Sequence, residues 1–229
     1  MATGDDAELA RRLQILATEH WGLLAARSTA QSEVLTRISI YLTLVSAGLV
    51  TVGLLGQATH FTTWFPVAAL GILAFLSVVG ILTLIRVLAV SEEDFMYVTA
   101  MNRIRGAYAE IDPAASDAFL ASIHDDELGM RVTYSFLRER GSFEQVLGSS
   151  LMLSVLVTAS MGGMFAGGLC TVLGVPAGGA VAVGVIIGLG ITGIAIGYGG
   201  RRYLTAWKTY RPRHPSDGPP EYWRMRRRR

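Results

Sequence analysis

Two long stretches with almost no charge constrain the fold of this chain more than any other feature. Residues 145–200 contain no Asp, Glu, Lys, Arg or His, and residues 38–85 contain only His60. About 18 consecutive apolar residues already indicate a membrane span. Charged residues make up 17% of the 229, against about 25% in a typical soluble domain. The sequence therefore predicts an integral membrane protein and excludes a soluble enzyme, a disordered chain and a disulfide-stapled secreted domain.

Each apolar stretch is long enough for a hairpin of two helices. A hydrocarbon core of about 30 Å needs about 20 residues at a rise of about 1.5 Å each. The connectors at 58–63 and 173–176 are short enough to be turns. We expect an all-α fold, an integral membrane four-helix bundle with a long cytoplasmic N-terminal helix and a helical cytoplasmic loop. The expected spans are Ile38 to Gln57, Trp64 to Ile85, Val146 to Val172 and Ala177 to Gly197.

The basic residues predict the direction of the spans. All 20 Lys and Arg residues lie before the first span, between the second and third, or after the fourth, and the two short connectors carry none. The positive-inside rule then places both termini and residues 86–144 in the cytoplasm. The N-terminus is acidic and lacks a signal-peptide pattern, so the first span is expected to be retained.

These signals divide the chain into five segments. They are a cytoplasmic N-terminal helix (1–37), a first transmembrane hairpin (38–85), a cytoplasmic helical segment (86–144), a second hairpin (145–200) and a basic tail (201–229). Within the cytoplasmic segment, Ser91 and Asp94 form a capping-box pattern that predicts a new helix over 91–110. A short helix is expected over 114–122 and another from 128 into the third span. From Arg211 onward, Pro, Gly, Ser and charge predict disorder.

Small residues recur at helical spacing in the second hairpin. Such small-xxx-small patterns let helices approach closely where lipid supplies no hydrophobic drive to associate. Three interpretations are open: packing within the bundle, an interface between subunits, or the wall of a narrow pore. The residues are Gly163, Gly167, Gly184, Gly188, Gly193 and Gly197, with Ser150, Ser154 and Thr158 stacked on the third span.

One short segment has the composition of a metal site. His124, Asp125, Asp126 and Glu127 are consecutive, so they need ligands from elsewhere to surround an ion, and the spacing of known metal motifs is missing. An Asp pair opening a helix is also a common cap. We favour the cap, keep these four residues as weak metal candidates, and expect no cofactor.

The spans contain no Asp, Glu, Lys, Arg or His between their ends. Proton pumps, ion-coupled transporters and voltage sensors generally need such groups, and hydrolysis needs positioned acids, bases or metals. The sequence therefore predicts a protein that is not an enzyme and has no catalytic residues.

The chain ends in a basic cluster. It can act as a topological anchor, or it can bind anionic lipid head groups at the bilayer surface. No fold motif for base readout accompanies it, so no nucleic-acid partner is expected. The candidate lipid-binding residues are Arg224, Arg226, Arg227, Arg228 and Arg229.

The stretch from Glu19 to Thr59, followed by SEEDFMYVTAMNRIRGAY and HDDE, resembles a family of uncharacterised four-span bacterial membrane proteins of the actinobacterial type. The resemblance covers roughly residues 15–200 and implies a multi-pass protein of the bacterial inner membrane. A weaker resemblance is to SLATT-type domains, which join cytoplasmic helices to a two-span hairpin and are proposed as membrane-pore effectors. This chain has four predicted spans and no attached nucleotide-sensing domain.

Two functional hypotheses follow. The first is a self-associating membrane protein, with a pore as one form of the assembly and the cytoplasmic helices as a regulatory layer. The alternative is a membrane-anchored scaffold that binds a protein partner or anionic lipid through its cytoplasmic helices and basic tail. A homo-oligomer is expected from the first hypothesis.

Overall fold

A computed structural model describes residues 4–62, 64–135, 148–219 and 223. Within these ranges the secondary structure is entirely helical, with no strand, which confirms the predicted all-α class. The helices are α1 (Gly4–Thr59), α2 (Phe65–Ile111), α3 (Pro113–Ser116), α4 (Glu127–Tyr134), α5 (Ser150–Val172) and α6 (Ala177–Thr209).

Four of these helices, α1, α2, α5 and α6, are long and apolar enough to cross a membrane. This number matches the four spans predicted from the sequence, so the chain has the architecture of a multi-pass membrane protein. In the most apolar window of each helix, between 17% and 33% of the residues are buried within the chain. The remaining apolar surface needs lipid or another protein to cover it.

The long helices continue beyond their apolar parts. Helix α1 runs without a break from Gly4 through the first span, so the N-terminal helix and that span are one element. The predicted helix start at Ser91 is wrong, because α2 is continuous from Phe65 to Ile111. No Pro or Gly lies between Arg86 and the end of the expected cap, so the backbone has no reason to leave the helix there.

The segment between α2 and α5 is less helical than predicted. Asp112 caps the four-residue α3, and the helix expected over 114–122 is not formed beyond Ser116. Helix α4 ends at Tyr134 rather than running into the third span. Residues 136–147 of that predicted helix lie outside the described part of the chain. Helix α5 begins at Ser150, where the Ser149 side chain accepts a hydrogen bond from the Met152 amide.

The five sequence segments fold into two units. The polar unit comprises Met1–Gln31, Ser91–Gln145 and Leu204–Arg229, and the apolar unit comprises Ser32–Val90 and Val146–Tyr203. The apolar unit carries only five charged side chains, which are Glu33, Arg37, Arg86, Arg201 and Arg202.

The core of the apolar unit confirms the four-helix bundle. Tyr41 and Val45 of α1 pack with Leu76 of α2 and Met161 of α5. A second cluster joins Leu84, Val155 and Ala195, and so brings α6 against α2 and α5. The opposite surface is apolar and exposed, for example Val67 at 71%, Ile186 at 67% and Leu82 at 62% exposure. That pattern fits a bundle solvated by lipid.

In the polar unit, Asp94 joins three helices. Its carboxylate accepts hydrogen bonds from Arg27 Nε at 2.6 Å and Gln31 Nε2 at 2.8 Å, both on α1. The Tyr134 hydroxyl of α4 donates to the same carboxylate. Farther along α1 and α2, Arg12 Nη2 lies 3.5 Å from Glu110 Oε2. These contacts make α1 and α2 antiparallel within this unit, and they explain why Asp94 does not act as a cap.

Candidate functional site

Four of the predicted glycines lie where helices α5 and α6 pack against each other. They are Gly163, Gly167, Gly184 and Gly188. A Cβ built on Gly163 would lie 2.7 Å from the Gly184 carbonyl oxygen, and one on Gly184 would lie 2.7 Å from the Gly163 carbonyl oxygen. At Gly167 and Gly188 the equivalent distances, to the carbonyl oxygens of Ala180 and Ala159, are 3.1 and 3.2 Å. The two backbones therefore touch, and these glycines are used for packing within one chain.

Gly193 and Gly197 differ from that group. A Cβ at either position would meet nothing within 4 Å, and the same holds for Gly190 and Gly200. All four residues are exposed. Their spacing of three, four and three residues places them on one side of α6. We call them the open glycine face, because the described part of the chain does not pack against it.

The hydroxyl residues of α5 have different environments. Ser150 is exposed, whereas Ser154 and Thr158 are each 1% exposed. The Ser154 hydroxyl donates to the Ser150 carbonyl oxygen at 2.9 Å. The Thr158 hydroxyl lies near the Tyr41 hydroxyl, and both crowd the position that a Cβ on Gly80 would occupy. Ser154 and Thr158 therefore face packed protein within one chain.

The His124–Glu127 segment begins α4. The Asp126 side chain accepts a hydrogen bond from the Gly129 amide at 2.7 Å, so Asp126 is the N-cap that the Asp pair predicts. The described residues contain no group of three or more His, Cys, Asp or Glu side chains that could hold a metal ion. The two aspartates are instead bonded to protein donors.

Asp125 is a buried carboxylate with several protein donors. Its side chain has 0% exposure and lies 2.7 Å from Arg103 Nε. The Tyr210 hydroxyl donates to it at 2.7 Å, and the backbone amides of Arg213 and His214 donate at 2.9 and 2.7 Å. Burial opposes ionisation of Asp125, but the His214 amide, Arg103, Tyr210 and the Arg213 amide together lower its pKa to about 2. The carboxylate is therefore a fixed negative charge.

These contacts hold the segment that follows α6. We call residues 210–218 the tail strap. Ser216 donates to Asp126 through both its amide, at 2.8 Å, and its hydroxyl. The His214 ring packs against Gly106, since a Cβ built on Gly106 would lie 2.7 Å from His214 Cδ2. His214 Nδ1 also lies 3.6 Å from Glu110 Oε1. The prediction of disorder from Arg211 is therefore wrong for the strap. The predicted lipid-binding residues Arg224 and Arg226–Arg229 lie outside the described residues.

The strap also borders a cavity of about 280 Å³. Ser216 and Gly218 line one side of it, and the segment 116–132 lines the rest with mixed chemistry, including Phe119, Ser122 and His124. Because the strap forms part of the wall, its release would remove one side of this cavity.

Sequence reasoning missed several residues of this site. Arg103, Gly106, Tyr210 and His214 come from segments that are far apart in the chain, as the separation of 107 residues between Arg103 and Tyr210 illustrates. The only part of this site that the sequence indicated is the run of His124, Asp125, Asp126 and Glu127. Its composition favoured a helix cap or a metal site and gave no sign that it binds the tail strap.

Comparison of the chain with protein-family models, with curated proteins and with solved structures finds no match in any of the three.

Proposed function

We propose that this protein is a non-enzymatic, multi-pass protein of the bacterial inner membrane that self-associates through α6. The observation that carries the proposal is the open glycine face. Glycine inside a helix costs about 1 kcal/mol relative to alanine, and close backbone approach within the chain accounts for Gly163 and Gly184. It does not account for Gly190, Gly193, Gly197 and Gly200, which are suited to a helix of another subunit.

The polar unit is the regulatory layer in this proposal. The distribution of basic residues supports placing both termini and this unit in the cytoplasm. The tail strap begins at Tyr210, directly after α6 ends at Thr209, and it is bonded to Asp125 and Asp126. A signal that loosens or tightens the strap would therefore act on the end of the helix that carries the open glycine face.

A pore is one form of the assembly. Ser154 and Thr158 are buried within one chain, which argues against a channel through a single subunit lined by α5. A conducting path is expected between subunits instead, beside α6. The resemblance to SLATT-type membrane effectors, noted for the sequence, is consistent with this arrangement.

The test combines mass and ion flux on protein reconstituted in nanodiscs and liposomes. Wild-type protein is expected to form a discrete oligomer, and Gly193→Leu with Gly197→Leu is expected to reduce it to monomer. Gly71→Leu is the matched control, because Gly71 is an exposed α2 glycine with nothing within 4 Å of its Cβ position. A wild-type protein that stays monomeric across detergents and nanodiscs would remove the proposal, and an oligomer without flux would remove only the pore.

A scaffold function is the alternative, and one observation favours it. The α1 helix of the polar unit exposes large apolar side chains, with Trp21 at 69% and Ile15 at 61% exposure. Such residues suit a protein partner. The basic tail would add contact with anionic lipid. Replacing Arg224 and Arg226–Arg229 with Gln, which keeps the buried Trp223 in the chain, should weaken binding to anionic vesicles, and unchanged binding would exclude these arginines from this function.

A further inference from the structure

Arg105 of α2 is a partly buried cation without a carboxylate partner among the residues that the structure describes. Within the described ranges, its guanidinium makes one hydrogen bond, from Nη1 to Asn102 Oδ1 at 2.7 Å. Three other arginines of α1 and α2 in the polar unit form ion pairs. Arg12 pairs with Glu110, Arg27 with Asp94 and Arg103 with Asp125.

Asn102 fixes the Arg105 guanidinium but does not neutralise it. Asn102 is 0% exposed. Its Oδ1 also accepts from the Thr133 hydroxyl at 2.9 Å, and its Nδ2 donates to the His124 carbonyl oxygen at 3.0 Å. Because a guanidinium has five N–H donors, this one amide leaves most of the Arg105 hydrogen-bonding capacity unused.

His20 of α1 lies at the level of this part of α2. The pairs Arg12–Glu110 and Arg27–Asp94 fix the antiparallel register, and midway between them His20 lies opposite Asn102. Nδ1 of His20 is buried and has no hydrogen-bond partner among the described residues. Burial and the Arg105 charge both lower the pKa of His20, which agrees with the proximity that the register predicts.

The local charge balance is positive. Arg27 is close enough for its charge to affect Arg105, and the nearby Asp94 carboxylate is already bonded to Arg27, Gln31 and Tyr134. An uncompensated cation that is partly removed from water is unfavourable. A guanidinium fork matches the oxygens of a carboxylate or phosphate group, and a neighbouring imidazole can supply a further N–H.

We propose that Arg105 and His20 form a binding site for an oxyanion, a phosphate or carboxylate group that inserts between α1 and α2 of the polar unit. Both residues are partly exposed, so a solute can reach them. The oxyanion belongs either to a soluble small molecule or to a lipid head group. This site goes beyond the proposed self-association and does not depend on it.

The test uses full-length protein in a neutral detergent, titrated calorimetrically with inorganic phosphate and with acetate. Arg105→Gln and His20→Gln are each expected to weaken binding of the anion that binds best, Arg105→Gln by about tenfold or more. Arg11→Gln is the control, because Arg11 is an exposed α1 arginine of the same charge, and it should change the affinity less than twofold. A lipid source is tested by thermal stabilisation in phosphatidylglycerol relative to phosphatidylcholine nanodiscs, which should then require Arg105.

Stability without anion provides a second readout. A purely structural arginine would leave Arg105→Gln less stable than wild type, whereas an arginine kept for a ligand predicts equal or higher stability for the variant. The proposal is overturned if neither phosphate, acetate nor phosphatidylglycerol has an effect that depends on Arg105. It is also overturned if Arg105→Gln binds like wild type.

Discussion

Gly163 and Gly184 face each other so closely that a methyl group on either would lie 2.7 Å from the carbonyl oxygen of the other. The contact is reciprocal, and its neighbours Ala159 and Ala180 are 5% and 1% exposed. Backbones at this distance allow Cα–H···O contacts, which recur between closely packed helices. The α5–α6 hairpin therefore depends on glycines that have no side chain to keep the two backbones apart. Because Gly163 and Gly184 are used in this contact, they cannot also serve an interface between subunits.

The first prediction concerns this contact. Gly163→Ala should destabilise the folded protein by about 1–3 kcal/mol, because the obstacle is a backbone carbonyl that cannot rotate away. Denaturant unfolding in mixed micelles measures the effect. Gly71→Ala is the matched control, because Gly71 is an exposed helix glycine with open space around it, and it should unfold like wild type or at slightly higher denaturant. Equal effects of the two substitutions would contradict the packing role of Gly163.

The second prediction concerns the tail strap. In Asp125→Asn, an amide nitrogen would face donors that now reach a carboxylate, among them Arg103 and the Arg213 and His214 amides. Loss of charge-assisted hydrogen bonds of this kind costs about 1.5–3 kcal/mol each. Trypsin should therefore cleave after Arg213 about tenfold faster or more. Asp117→Asn is the control, because Asp117 is exposed and lies between α2 and α4, and it should leave the cleavage rate as in wild type. Equal rates in both variants would exclude a role of Asp125 in holding the tail strap.

The third prediction is the pH dependence of the strap. The Asp125 pKa falls from 3.8 to about 2 on folding. A lowered pKa means that the stabilisation is complete above the unfolded value and is lost as pH falls through the folded one. It amounts to about 2 kcal/mol at neutral pH. The NMR shift of the Arg213 amide proton should stay constant from about pH 7 to 5 and change only below about pH 4. A transition near neutral pH would show that another group controls the strap.

The fourth prediction separates the two interpretations of Asp94. The side chains of Asp94 and Arg27 are 16% and 26% exposed, so breaking their pair should cost about 1–3 kcal/mol. In Asp94→Asn, hydrogen exchange should rise around Arg27 and Gln31 of α1, because both residues bond to this carboxylate. Glu8→Gln, an exposed change on the same helix as those partners, is the control. Faster exchange confined to residues 91–95 would favour a helix cap instead.

Much of the architecture could be predicted from the sequence because it depends on local composition. A charge-free run of sufficient length specifies a membrane helix whatever surrounds it. The number of long apolar helices, the two short connectors and the cap at Asp126 all follow from patterns of a few to about 20 neighbouring residues. The all-α class needed nothing more.

The tertiary structure determines which of two identical Gly-xxx-Gly patterns packs within the chain. Gly163-xxx-Gly167 and Gly193-xxx-Gly197 read alike, yet the first pair touches α6 while the second is open, because core contacts such as Leu84 with Val155 and Ala195 set which side of α6 faces inward.

Long-range pairing explains the remaining differences. In the sequence, Asp94 has the pattern of a helix cap. In the structure it instead bonds to Arg27 and Gln31 of α1 and Tyr134 of α4. The strap seemed disordered because Asp125, which orders it, is 88 residues from Arg213. Hydropathy and helix signals act between neighbours, whereas the partner of a buried charge is chosen by whichever segments the fold brings within hydrogen-bonding distance.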